Sequence, residues 1–451
     1  MKFLITLWLS KIAATIVNVI DKNRGTNYSG KIAVKMMPDF VKHFKGVDYK
    51  KTVFVTGTNG KSTTTNLLAH TLKNAGKKVA SNLEGANMMT GVATTLIKNS
   101  NLFGKFNKEY LILEIDERSL LAIRKVLPAG HMGITNLQKD QVQRNGDPDF
   151  IFRKFEEAIG KDMTLYLNNH EPRSKALEDR AGQSRYFSVE KNVKTYVRDG
   201  FYNVTLPCPK CSNPIKYDSY NLANIGVFHC TNCEHKTSDN PEVNVSDVNF
   251  DEKYFIESGK KWEITYNTPF YIYNYAMCIA ICRNLGIGDD EIADGFKTFA
   301  NPAERREKLT YKGKNIHYLR MKQENPETLQ SALDTIAEDK SEKAIFMGMY
   351  EVKDFLPYYS NTFYFFDCDF EDIAKTPVER YVVFSSTVSN DTANRIRYAG
   401  ASEEKITVLD TEDLSLVLAE LDKTETKNVY FLTGMKPYKK LKQYFSKEGN
   451  A

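Results

Sequence analysis

Long apolar runs are missing from this 451-residue chain. The nearest approach, Phe3 to Ile20, is interrupted by Ser10, Lys11 and Asn18, so it falls short of a membrane-spanning helix. The same early breaks, with a phosphate-binding loop downstream, argue against a secretory signal and for the cytoplasm. Blocks of like charge and arginine-rich tails are absent too, which removes the usual reason to expect a nucleic-acid partner. The small net charge of +5 instead suits an anionic ligand. Disulfide-type cysteine usage is lacking: of seven cysteines, four have a metal-like spacing and three are scattered, as in a reducing compartment. What remains, 41% hydrophobic and 26% charged residues, is ordinary globular composition with length for two or three domains.

Within the first twenty residues, Ile5, Trp8, Leu9, Ile12, Ile16 and Val19 share one helical face. The reading is a helix packed by that face on the protein body. An amphipathic helix resting on the inner membrane surface is the alternative.

The most informative stretch runs from Val53 to Thr65. A β-branched apolar run, Val53-Phe54-Val55, enters the turn Gly57-Thr58-Asn59-Gly60, and Lys61-Ser62-Thr63 opens a helical pattern. Glycines let backbone N–H groups face one anion, and the helix start adds partial positive charge. Lys61 reaches the outer phosphates and the Ser62 hydroxyl can ligate Mg²⁺. The loop is shorter than the general G-x-x-x-x-G-K-[ST] pattern, because Val55 stands where the first glycine would be. Gly57, Thr58, Asn59, Gly60, Lys61, Ser62 and Thr63 together form the candidate ATP cradle. A plain Gly-Asn-Gly turn that binds nothing is the bland alternative.

Strand candidates Thr52–Val55, Lys78–Ala80, Tyr110–Ile115, Met132–Thr135 and Met163–Leu167 alternate with helical stretches, the pattern of a doubly wound α/β sheet. In such sheets ligands bind beyond the carboxyl ends of the strands, where the glycine loop, Glu114 and Asn136 all fall. Glu114 reads as a cation ligand or a helix cap, whereas Asp116 and Glu117 read as the acidic start of a helix at Arg118–Val126. Between about Asp199 and Asp247 lie Cys208-x2-Cys211 and Cys230-x2-Cys233, eighteen residues apart. Four thiolates so spaced close a tetrahedron around Zn²⁺, and a closed site is structural. Cys278 and Cys282 read as core. The resulting domains are a lead-in over 1–50, an ATP-binding domain over 51–308 with a zinc ribbon inserted at about 199–247, and a second, Rossmann-like α/β domain over 309–451. In the last, strands are expected at Ile316–Arg320, Ala344–Met347, Thr362–Phe366, Tyr381–Ser385, Ile406–Val408 and Val429–Leu432.

The shortened loop Gly57-Thr58-Asn59-Gly60-Lys61-Ser62 resembles the ATP loop of the Mur ligase family, which joins carboxylates to amines through acyl phosphates. Ser81 to Gly91, Leu113-Glu114-Ile115-Asp116-Glu117 and Phe366-Asp367-Cys368-Asp369-Phe370-Glu371 resemble its MurT branch, the ligase subunit of two-protein lipid II isoglutaminyl synthases. The resemblance implies that Glu114 ligates Mg²⁺, that Asn274 contacts adenine and that Arg305 approaches the γ-phosphate. It also puts Asp140 near a second metal or the phosphates, with a plain cap equally open. The implied reaction amidates the α-carboxyl of D-glutamate in lipid II, with ammonia from a glutaminase subunit of the GatD type. Resemblance thins in the C-terminal domain: Asn361 stands where the branch has an aspartate that completes the glutaminase Cys-His dyad, and Thr433-Gly434-Met435-Lys436 replaces a Thr-Tyr-Thr segment. A divergent paralogue acting on another carboxylate, or a nucleotide-binding scaffold without catalysis, is therefore the alternative.

Overall fold

The computed structural model describes residues 1–20, 27–82, 86–140, 147–190, 206–222, 224–266, 269–300, 306–320, 325–350 and 363–448. The chain divides into two units, residues 1–138 with 147–301, and residues 139–146 with 302–451.

The first unit is built on β1 (Thr52–Thr56), every residue of which is buried. Alternation along the strand sends Val53 and Val55 to one face and Phe54 to the other, so one strand seeds two apolar layers. The first layer is covered by the helices Lys61–Asn74 and Pro269–Asn284, the second by Met89–Lys98 and Pro148–Ala158. Parallel to β1 run β3 (Tyr110–Glu114) and β4 (His131–Ile134), one on each side. β2 (Val79–Ser81) lies beyond β3, and β5 (Thr164–Asn168) and β6 (Gln183–Val189) lie beyond β4. The chain then leaves as a two-stranded ribbon, β7 (Ile215–Leu222) and β8 (Ile225–Cys230), and returns as β9 (Val243–Asn249) beside β6. An antiparallel hairpin, β10 (Tyr254–Glu257) and β11 (Lys260–Glu263), completes the edge. Among the described residues the order is β11-β10-β9-β6-β5-β4-β1-β3-β2. Strand order reverses about β1, so the ligand crevice of this topology opens where β1, β3 and β4 end.

The helix Pro269–Asn284 is buried on nearly all sides, which its unbroken run Ile272 to Cys282 requires. Cys278 and Cys282 lie 3.9 Å apart inside that core. Arg283, at its end, forks onto both oxygens of the fully buried Glu257 at 2.9 and 2.8 Å and onto Asp289, tying the helix to the hairpin edge.

The second unit carries a six-stranded sheet with a parallel core. Its strands are β12 (Arg306–Tyr311), β13 (Lys314–Arg320), β14 (Lys343–Gly348), β15 (Val378–Phe384), β16 (Ile406–Leu409) and β17 (Asn428–Thr433), in the order β12-β13-β17-β14-β15-β16. The strand expected at Thr362–Phe366 is corrected: Phe363–Phe366 is a helical turn. Its carbonyls are taken by side chains instead of a neighbouring strand. The buried Arg395 donates to Phe365 O at 3.2 Å and to Cys368 O at 2.7 Å, while it also pairs with Glu371.

The expectation for the N-terminal helix, Lys2–Ile20, is also corrected. It packs through Thr6, Leu7 and Ser10, which are buried, while Ile5, Trp8, Leu9, Ile12 and Ile16 face outward. Phe3 sits among Phe40 and Phe44, and Lys11 Nζ donates to Ile97 O (2.6 Å) and Ser100 O (2.8 Å), the carbonyl end of the helix Met89–Lys98. Those two anchors fix the helix rotation, so the apolar stripe cannot be the packed side.

Arg283→Ala should destabilise the protein by about 3–5 kcal/mol, because it leaves the buried Glu257 carboxylate without its cation. Chemical denaturation would measure this, and a loss within error of zero would show that the fork contributes nothing net.

Candidate functional site

The turn after β1 is held in a shape open only to glycine. Gly57 has φ 116° and Gly60 φ 89°, both left-handed. A Cβ on Gly57 would come within 2.4 Å of Thr135 Oγ1 and 2.7 Å of Asn136 O, and one on Gly60 within 2.5 Å of Asn274 Oδ1. The turn is stitched to the segment after β4: Thr58 N donates to Asn136 O at 2.8 Å, and Asn59 N to Asn136 Oδ1 at 3.0 Å. Asn136 Nδ2 donates back to Asn59 O at 3.1 Å, and Gln138 N to Thr58 Oγ1 at 2.9 Å. Gly60 caps the helix Lys61–Asn74 without a side chain, so no side chain of the cap covers the N–H groups of the first turn. The arrangement is a preformed anion cradle. Ser62 beside it is exposed, and Thr63 is half-buried.

Lys61 Nζ bonds to Gly57 O, to Thr58 O at 3.0 Å, and to Glu117 Oε1 at 2.7 Å. Glu117 is thus the counter-ion of the loop lysine. Burial pushes its carboxyl up, against the pull of Lys61. By sequence Glu117 reads as a helix-start residue, since nothing local pairs it with Lys61. The parallel register that sets Val55 beside Glu114 brings them together. Glu114, half-buried at the end of β3, accepts from Asn87 Nδ2 at 3.1 Å, and Asn82 brackets its backbone through Glu114 N and O, both at 2.8 Å. Asp116 accepts from Arg118 N at 3.1 Å, the local role expected of it.

A cleft beside the turn is lined by Asn59, Asn136, Phe270, Tyr273, Asn274 and Met277, among others. Asn274 therefore lies next to the loop, on the buried helix. One residue before it, Tyr273 OH meets His170 Nδ1 at 3.1 Å and accepts from Asn221 Nδ2 at 2.9 Å. Asn221 belongs to β7, so a buried polar knot ties the ribbon to the helix that lines the cleft. Burial without a compensating charge holds His170 down to about 4. Asp140 falls in the second unit, where Asn325 Nδ2 donates to it at 3.0 Å. Near it, burial pushes the Glu327 carboxyl up to about 8, and the charges of Asp140 and Asp367 add to the shift. Arg305 and Asn361 lie outside the described residues.

The four ribbon cysteines converge. All four Sγ atoms lie within 4.8 Å of one another, with Cys208–Cys233 at 3.7 Å and Cys211–Cys230 at 3.4 Å. A zinc–sulfur bond of about 2.3 Å in a tetrahedron requires sulfur pairs about 3.8 Å apart, so the donor set fits. The turns that present them are tight: Ser212 N donates to Cys208 O at 2.8 Å with Ser212 at φ 61°, and Cys230 N to His235 O at 2.8 Å.

Residues 55–233 match the Mur ligase middle domain, and residues 323–435 the MurT ligase C-terminal domain. The chain is 28% identical over 377 residues to a lipid II isoglutaminyl synthase (glutamine-hydrolyzing) subunit MurT of Staphylococcus aureus, covering 83% of each. It is equally identical, over 95% of each chain, to the protein of that name from Streptococcus pneumoniae. In fold it is similar to a pseudomurein peptide ligase type C of Methanothermus fervidus (TM-score 0.64, 20% identity, 91% of this chain and 81% of that one). It is likewise similar to MurF of Acinetobacter baumannii (TM-score 0.63, 12% identity, 93% and 81%).

The knot predicts a pH effect. His170 is neutral when folded and titrates near the ordinary value of about 6.5 when unfolded, so stability is intact above that value and falls as pH drops towards 4. In denaturation at pH ~7 and pH ~4.5, wild type should lose about 2–3 kcal/mol more than His170→Gln does. Equal losses would mean that His170 is not held neutral.

Proposed function

The chain belongs to the Mur ligase family and carries its MurT-type C-terminal domain, and from that premise we propose that it amidates the α-carboxyl of D-glutamate in the lipid II stem peptide. It is an ATP-dependent ligase with a Mur-ligase-type role in peptidoglycan synthesis. The observation that supports the ATP chemistry is the glycine cradle at the end of β1, with Glu114 at the end of the adjacent strand, while the acceptor rests on the likeness to the lipid II isoglutaminyl synthase subunits.

ATP, when bound, would supply the γ-phosphoryl group that turns the acceptor carboxylate into an acyl phosphate with ADP leaving, and ammonia attacking the acyl carbon would expel inorganic phosphate. The turn from Gly57 to Gly60 offers backbone N–H groups to the phosphates. Lys61 exchanges its loop carbonyls for phosphate oxygens while Glu117 keeps its ammonium in place. Ser62 and Glu114 hold Mg²⁺, with Asn87 orienting the Glu114 carboxylate. Asn274 meets the base. Arg305 for the γ-phosphate rests on sequence register. So does the assignment of Asn361 to serve the glutaminase of the GatD type that delivers ammonia. We assign 51–308 to the ATP domain and 309–451 to the domain that serves acceptor and partner. Cys208, Cys211, Cys230 and Cys233 hold one structural Zn²⁺. Among the described residues no helix is long and apolar enough to cross a membrane, and we place the reaction in the cytoplasm at the inner membrane face, where a lipid-anchored acceptor resides.

Lys61→Met, assayed with ammonium, ATP and lipid II, should lose amidation by at least about 10³-fold while circular dichroism stays native. Wild-type turnover in this variant would sink the site assignment. Elemental analysis should find about one zinc per chain. Cys230→Ser should lower both zinc content and melting temperature, whereas metal-free protein that melts unchanged would contradict the zinc site.

A further inference from the structure

The N-terminal helix, Lys2–Ile20, shows an apolar face to solvent. Ile5, Trp8, Leu9, Ile12 and Ile16 recur at helical spacing, and the least exposed of them, Trp8, is 43% exposed. Next to them a loop adds Leu102 and Phe103, the latter 72% exposed. Loop and helix form one surface: Trp8 Nε1 donates to Leu102 O at 2.8 Å, and Gly104 sits so close to the Phe3 ring that a Cβ there would reach it at 2.5 Å. Soluble surfaces scatter large apolar groups singly, so a contiguous set of seven requires a partner.

Charge says which partner. The helix contains lysine but no acidic residue, and the stretch Lys98 to Lys108 has three lysines and no acid. Lys2, Lys42, Lys45 and Lys105 are exposed, on the helix or on segments packed against its start. Asp39, with His43 at 3.2 Å, is the one acid within residues 39–45, where Lys42 and Lys45 outnumber it. A second copy docked face to face would bring one lysine-bearing patch against another with no acidic residue of the helix to offset them, as a two-fold contact pairs each patch with itself. A plane of anionic headgroups over acyl chains complements both the apolar stripe and its lysines.

We propose that this face docks on anionic phospholipid, the helix lying in the interface with Trp8 and Phe103 inserted, without spanning the bilayer. The inference rests on the proposed function only for its setting at the inner membrane face. Its test uses neither nucleotide nor acceptor, so either idea can fail while the other stands.

The full chain would be mixed with vesicles of phosphatidylglycerol in phosphatidylcholine, or of phosphatidylcholine alone. Trp8 is the reporter, since the second tryptophan, Trp262, is fully buried. The expected result is co-sedimentation with the anionic vesicles, a blue shift of emission, and release by salt well above ~0.1 M. Trp8→Phe should still bind but lose the shift. Ile12→Glu combined with Phe103→Ser should weaken binding at least about tenfold, with the melting temperature and circular dichroism unchanged. Three results would overturn the proposal: wild type left in the supernatant, undiminished binding by the double variant, or a wild-type dimer that the double variant dissociates while vesicles bind neither.

Discussion

The close approach of the turn after β1 to the segment after β4 is the constraint on which the candidate nucleotide site depends. Two backbones meet at Gly57 and Asn136 with no room for a Cβ, and the second left-handed glycine abuts Asn274. Because the turn is bonded through backbone and amide groups on both sides, its N–H groups are aimed before any ligand arrives. Such pre-organisation lowers the reorganisation cost of binding a triphosphate. The same closeness explains why the shortened loop needs no first glycine: Val55 lies within the strand, wholly buried, and the turn begins two residues later.

Charge at the cradle is balanced before ligand binds. Lys61 carries the positive charge, and Glu117 answers it from beyond β3. A buried ion pair of this kind is weak evidence for stability but strong evidence for position, since its geometry holds the ammonium at the loop mouth. Glu114 lies three residues earlier and is oriented separately by Asn82 and Asn87. The two carboxylates therefore have distinct partners, Lys61 for Glu117 and the amides of Asn82 and Asn87 for Glu114 and its backbone.

The ribbon is more than an appendage. Its cysteine end needs only its own four sulfurs, but its other end enters the core through Asn221, beside His170 and Tyr273. Since Tyr273 precedes Asn274 on a helix buried on nearly all sides, the four-cysteine insertion supports the wall of the cleft beside the glycine turn.

Sequence alone determined the features whose causes are local. The glycine turn between strand and helix, the paired cysteine knuckles and the alternation of strand with helix each declare themselves within a few residues, because backbone conformation and ligand spacing are short-range properties. The strand expected at Phe363 failed because a short apolar run fits a buried strand or a buried helical turn equally, and a distant arginine, Arg395, decided between them. The apolar stripe of the N-terminal helix was legible, but not its direction. Periodicity marks a face without saying what it meets, and Lys11 with Phe3 turned the opposite side inward. Glu117 and His170 acquired their environments only through strand register and burial. Those are properties of the assembled sheet, in which charges far apart along the chain become neighbours in a medium that no longer screens them.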